Sequence, residues 1–171
     1  PDAPILIHNV DILSNVDLRH FYQRAGGLLN TDGLANVTVD APDALVGATV
    51  DVPDALLLVS QRKTQRYLLF DDTMRLVGWT NIATGEVKSP YPDLDPKACR
   101  MYAFAGIHAL SPRMIPLMNQ FPDRFSIIDF YLHTCATHRI EGFAKDDLQL
   151  MDIGKLDTLA QAEEFMVKVK K

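Results

Sequence analysis

Two short apolar runs with no polar interruption, Ile5-Leu6-Ile7 and Ala55–Ser60 (ALLLVS), constrain this chain more than anything else in it. An amphipathic strand alternates and can leave one face in water. A continuous run needs cover on both faces, which helices on either side of an α/β sheet supply. Each run ends in polar residues: His8-Asn9-Val10-Asp11 after the first, and 61–66 (QRKTQR) after the second.

The segments between agree with that class. Ser14 and Asp17 have capping-box spacing, with Ser14 as the predicted N-cap. Leu18, Phe21, Tyr22, Ala25, Leu28 and Leu29 then share one helix side, and Gly26-Gly27 ends the helix. Residues 67–70 and 76–80, joined by Asp71-Asp72-Thr73, form a predicted hairpin. Prolines 90, 92 and 96 make 85–96 a loop. The run 101–110 (MYAFAGIHAL) is a strand whose Ala105-Gly106 marks a bulge or a close backbone approach. Ser111-Pro112 opens a short helix to about Asn119, and Ser126 with Asp129 opens another that carries Ile127, Phe130, Tyr131 and Leu132. Strands at 139–143 and around Leu148, Leu150 and Ile153 lead to an Asp152-Ile153-Gly154 turn. A last helix presents Leu159, Ala162, Met166 and Val169. This order predicts an α/β fold, with a mixed, mainly parallel sheet flanked by helices.

At 171 residues the chain is one domain, 1–171. Within it, 30–54 reads as a surface insertion: Val39-Asp-Ala-Pro-Asp-Ala-Leu-Val46 is echoed eleven residues later, and each Pro-Asp is a turn. The net charge of −5 excludes a nucleic-acid polymer or an anionic membrane as the main partner, so any phosphate site is local. No stretch has the ~20 apolar residues of a membrane helix. Cys99 and Cys135 lack metal-ligand spacing and read as reduced thiols of a cytoplasmic protein.

The pool of chemical groups is small. The five histidines show no zinc-type spacing, and there is no nucleophile elbow and no glycine-rich phosphate loop. What stands out is a pair of carboxylates, Asp11 and Asp152, each just past a strand, where open α/β sheets place their ligands. One or two carboxylates with substrate phosphates and water satisfy Mg2+, although from position alone turn-capping is the ordinary role of such residues. Lys63 and Arg66 are candidates for a substrate phosphate or, alternatively, charged guards of a sheet edge. Trp79 is either a sugar-stacking or a core residue.

Four segments, in order, resemble the sugar-1-phosphate nucleotidyltransferases, a family that includes mannose-1-phosphate guanylyltransferases and N-acetylmuramate-1-phosphate uridylyltransferases. Ile7-His8-Asn9-Val10-Asp11 resembles its strand ending in N-G-D. Arg66-Tyr67 with Phe70-Asp71 resembles its R-Y-G hairpin, and Phe104-Ala105-Gly106-Ile107 its N-A-G-I segment. Met151-Asp152-Ile153-Gly154 resembles its W-x-D-I-G turn. The resemblance implies a nucleotide-diphospho-sugar transferase-like fold and transfer of a nucleotidyl group from an NTP to a sugar 1-phosphate. It implies Mg2+ on Asp11 and Asp152 as the catalytic and metal-binding pair. Asn9, Trp79, Asn81, Ala105, Gly106, Lys63 and Arg66 are then candidates for substrate binding. The family's opening G-x-G-x-R-L loop has no counterpart, so the chain is expected to be an N-terminally truncated part, inactive alone and self-associating into a homo-oligomer through an uncovered edge. Trp79-Thr80-Asn81-Ile82 stands where many members have E-E-K-P, Val10 replaces the glycine of N-G-D, and Lys155-Leu156 replaces T-P. Those departures keep open an alternative, a non-catalytic regulatory or assembly module with the same fold.

Overall fold

The computed structural model describes residues 3–26 and 52–153. The expected last helix, the Gly154 turn, Leu28 and Leu29, and most of the 30–54 insertion lie outside them.

The fold is built around its longest strand. In chain order the elements are β1 (Ile5–His8), β2 (Ile12–Ser14), α1 (Leu18–Arg24), β3 (Ala55–Ser60), β4 (Arg66–Phe70), β5 (Leu76–Asn81) and β6 (Glu86–Lys88). Then follow β7 (Arg100–Leu110), a 3-10 helix (Pro112–Gln120), α2 (Ile127–Thr134), β8 (Ile140–Ala144) and β9 (Leu150–Asp152). The main sheet runs β6-β5-β4-β7-β3-β8, with β1 also on β7, while β2 and β9 form a separate antiparallel ribbon. One edge of β7 carries β3. The other carries β4 along 100–102 and β1 along 107–110.

The changeover falls at a bulge. Leu57 pairs with His108 and Val59 with Phe104, so β7 spends two more residues than β3 between these rungs. Those are the rungs around Ala105-Gly106, where Gly106 takes φ +77. The sheet is mixed, as expected, with helices on it. Among the described residues the balance is antiparallel rather than mainly parallel, since only β3 and β8 pair in parallel. The physical reason is the hairpin β4–β5 and the long β7, which link neighbours without crossover helices.

β3 is buried at every residue, as its composition requires. Leu56 and Leu58 pack with Phe21 of α1 and its C-cap Ala25, and Leu57 and Val59 with Phe130 and Tyr131 of α2. β1 does not match the expectation of burial on both faces: it runs beside β7 only, and Ile5 is 43% exposed.

Three local expectations also change. Ser14 ends β2 instead of capping α1, because the ribbon with β9 holds 12–14 extended. Asp17 caps the helix, accepting from the backbone N–H of Arg19 at 2.9 Å and of His20 at 3.1 Å. Within the expected 85–96 loop, Glu86–Lys88 forms the edge strand β6. Ser126 caps α2 as expected, its hydroxyl accepting from Ile128 N–H at 3.2 Å.

Candidate functional site

The strand ends place the two aspartates on neighbouring rungs of one ribbon. Asp152 pairs with Ile12, and the N–H of Ile153 donates to the carbonyl of Asp11 at 2.8 Å. Some 140 positions apart in sequence (152 − 12 for the paired residues), the two segments meet here. Both carboxylates are exposed.

Asn9 joins them through the bulge. Its N–H donates to the Gly106 carbonyl at 3.2 Å. A Cβ on Gly106 would lie 2.8 Å from Asn9 Nδ2 and 2.9 Å from Ile12 Cδ1, so only glycine lets the backbone and the Asn9 amide approach this closely. Around this contact is a hollow of about 390 Å3 lined by Asn9, Ile12, Arg62, Phe104, Ala105, Gly106, Leu150 and Asp152. Four of the residues singled out in the sequence (Asn9, Ala105, Gly106 and Asp152) therefore share one space. Asp11 stands beside it on the ribbon without lining it.

Arg62 was not among the sequence candidates. It follows the end of β3, and its Nη2 donates to the Phe104 carbonyl at 3.0 Å, beside the bulge. The signal was present, three cations in QRKTQR, but the sequence reading favoured Lys63 and Arg66 over this one. Lys63 is exposed and lines none of the hollows described here.

Arg62 and Phe104 also line a second hollow, of about 220 Å3, with Thr64, Arg66, Leu68, Trp79 and Ile128. Arg66 and Trp79 continue into a third, of about 370 Å3, with Asn81, Glu86, Lys88, Ser126, Ile128 and Asp129. Through these shared residues the three hollows adjoin as a groove from Asp152 to Asn81. Trp79 packs against the core cluster, the second of its two readings, and its ring also lines these hollows, with Lys88 Nζ 5.3 Å from its centroid. Asn81 is committed to the β5–β6 turn, its Oδ1 accepting from Ala83 N–H at 3.0 Å.

Among the described residues no three His, Cys, Asp or Glu side chains cluster as a metal cage. The donors Asp11 and Asp152 are hard oxygens, and Mg2+ is commonly held by two carboxylates with substrate phosphates and water completing the shell. The donor set fits that ion.

No protein-family profile and no curated protein matches this sequence. Solved structures similar to it include two nucleotide-using enzymes. The inositol-1-phosphate CTP transferase from T. maritima shares 15% identity over 72% of this chain and 48% of its own, with a TM-score of 0.48. A CMP:2-keto-3-deoxy-manno-octonic acid synthetase complexed with CTP shares 15% identity over 69% of this chain and 50% of its own, with a TM-score of 0.43. The chain thus spans about half the length of these structures.

Proposed function

We propose that this chain carries the sugar-phosphate side and the metal ligands of a nucleotidyl transfer site. The reaction joins a sugar 1-phosphate to the nucleotidyl group of an NTP and releases pyrophosphate. The observation that carries this reading is the convergence of Asn9, Ala105, Gly106 and Asp152 on one hollow, with Asp11 on the next rung. These residues come from three of the segments that resemble the family.

A phosphate oxygen of the sugar 1-phosphate attacks the α-phosphorus, a new P–O bond forms, and the α–β bridging bond breaks. No protein nucleophile is required, so positioning and charge stabilisation do the work. Asp11 and Asp152 would hold Mg2+, which when bound supplies positive charge to the phosphates. Gly106 lets the backbone approach the sugar, the Asn9 amide offers it hydrogen bonds, and the Arg62 guanidinium, lining the same hollow as Asp152, neutralises a phosphate.

The test uses protein expressed from the complete open reading frame that encodes this chain. Pyrophosphate release with sugar 1-phosphates and each NTP is expected, and Asp152→Asn should lower kcat/KM on the order of 100-fold. No turnover with any pair, or an indifferent Asp152→Asn, would return the chain to a non-catalytic module of the same fold.

A further inference from the structure

We propose that the middle hollow of the groove is an anion subsite, so that the acceptor is a sugar 1-phosphate bearing a second negatively charged group. The proposal rests on the transfer reading above for the 1-phosphate end only. Arg62 and Arg66 both line this hollow of about 220 Å3, and no carboxylate among the described residues does.

The chain as a whole carries a net charge of −5. Several of its other cations face acids: Arg100 meets Asp72, Arg113 meets Asp54 at 2.5 Å, and Lys145 meets Asp147 at 2.7 Å. The acids next along the groove, Glu86 and Asp129, lie 3.9 and 3.4 Å from Lys88 Nζ. The Arg66 side chain pairs with no described residue. Arg62 spends one N–H on Phe104 and keeps the rest of its fork.

The segment between them is held in shape. Arg66 N–H donates to Thr64 Oγ1 at 3.3 Å, and Thr64 N–H donates to the Tyr67 hydroxyl at 3.0 Å. Two guanidiniums on one small hollow repel each other until an anion lies between them, and Leu68, Phe104 and Ile128 give that anion a partly apolar surround. The planar forks match a carboxylate or a phosphate alike. Asp152 lines the hollow that shares Arg62 and Phe104 with this one. One sugar spanning both hollows would place its 1-phosphate toward Asp152 and its second anion toward Arg66.

Trp79, the single tryptophan of the chain, lines the hollow and makes its fluorescence a direct reporter of occupancy. Titrations with glucose 1-phosphate, glucuronic acid 1-phosphate, glucose 1,6-bisphosphate and glucose 6-phosphate separate the terms. The acid or the bisphosphate should bind about tenfold tighter than glucose 1-phosphate, and whichever does identifies carboxylate or phosphate as the second anion. Arg66→Met should bring that ratio to about one, and Arg66→Lys should restore part of it. Equal binding of all the ligands, or an Arg66→Met that weakens each alike, overturns the subsite. Arg66-dependent binding of glucose 6-phosphate with no gain from a 1-phosphate upholds the subsite and removes the transfer reading instead.

Discussion

Gly106 is the residue on which the site turns. Its φ of +77 lies where side chains are strained, and the space a Cβ would need is taken by Asn9 and Ile12. Gly106→Ala is expected to cost about 1–3 kcal/mol in chemical denaturation. It should also displace the Asn9 amide, read as loss of sugar 1-phosphate binding beyond what the stability change explains. The sequence displayed this glycine as an interruption in a strand, which identifies a close approach but not what approaches. The choice among Arg62, Lys63 and Arg66 was less legible. Consecutive residues leaving a strand face different ways, and the residue that turns to the bulge is fixed by the carbonyl of Phe104, a partner 42 positions away.

At the scale of elements, β7 and α2 are joined by a buried polar contact that neither segment's pattern announces. His108 Nδ1 lies 2.6 Å from the Tyr131 hydroxyl, with both residues buried. Burial lowers the His108 pKa from 6.5 to about 4. The folded state therefore binds this proton less readily than the unfolded chain does. The stability tied to the neutral ring is fully present above pH 6.5 and is lost as pH falls toward 4, about 3 kcal/mol in all. Urea denaturation at stepped pH should show this slope, and His108→Gln should flatten it relative to the parent. Tyr131→Phe leaves the ring nitrogen without its partner and is expected to cost about 1–3 kcal/mol. Elements with a dense apolar signature, such as β3, or a good cap, such as Ser126 on α2, were legible in the sequence. β6 was not, because Glu-Val-Lys has no pattern of its own and is a strand only because β5 offers it an edge. The Ser14 cap misled because pairing with β9 outweighed a local hydrogen bond.

For the molecule as a whole, the β2–β9 ribbon is the smallest unit and the one the site depends on. Asn15 anchors it, its Nδ2 donating to the Asp147 carbonyl and its Oδ1 accepting from Gln149 N–H, both at 2.9 Å. Three rungs with no fully buried residue, together with these exposed bonds, should open more readily than the buried β3–β7 pair. Hydrogen exchange should show lower protection on 12–14 and 150–152 than on 55–59, and Asn15→Ala should widen the gap while sparing the core. The separation of the partners, 132 and 134 positions for the Asn15 contacts, carries a further meaning. Closing so long a loop comes late in folding and contributes nothing until both ends exist. On the ribosome, Asp11 waits through the synthesis of more than a hundred residues before Asp152 is made. A chain interrupted anywhere in between would carry half of the acidic pair, so the proposed phosphate chemistry would begin only after the sheet between the two aspartates has been translated.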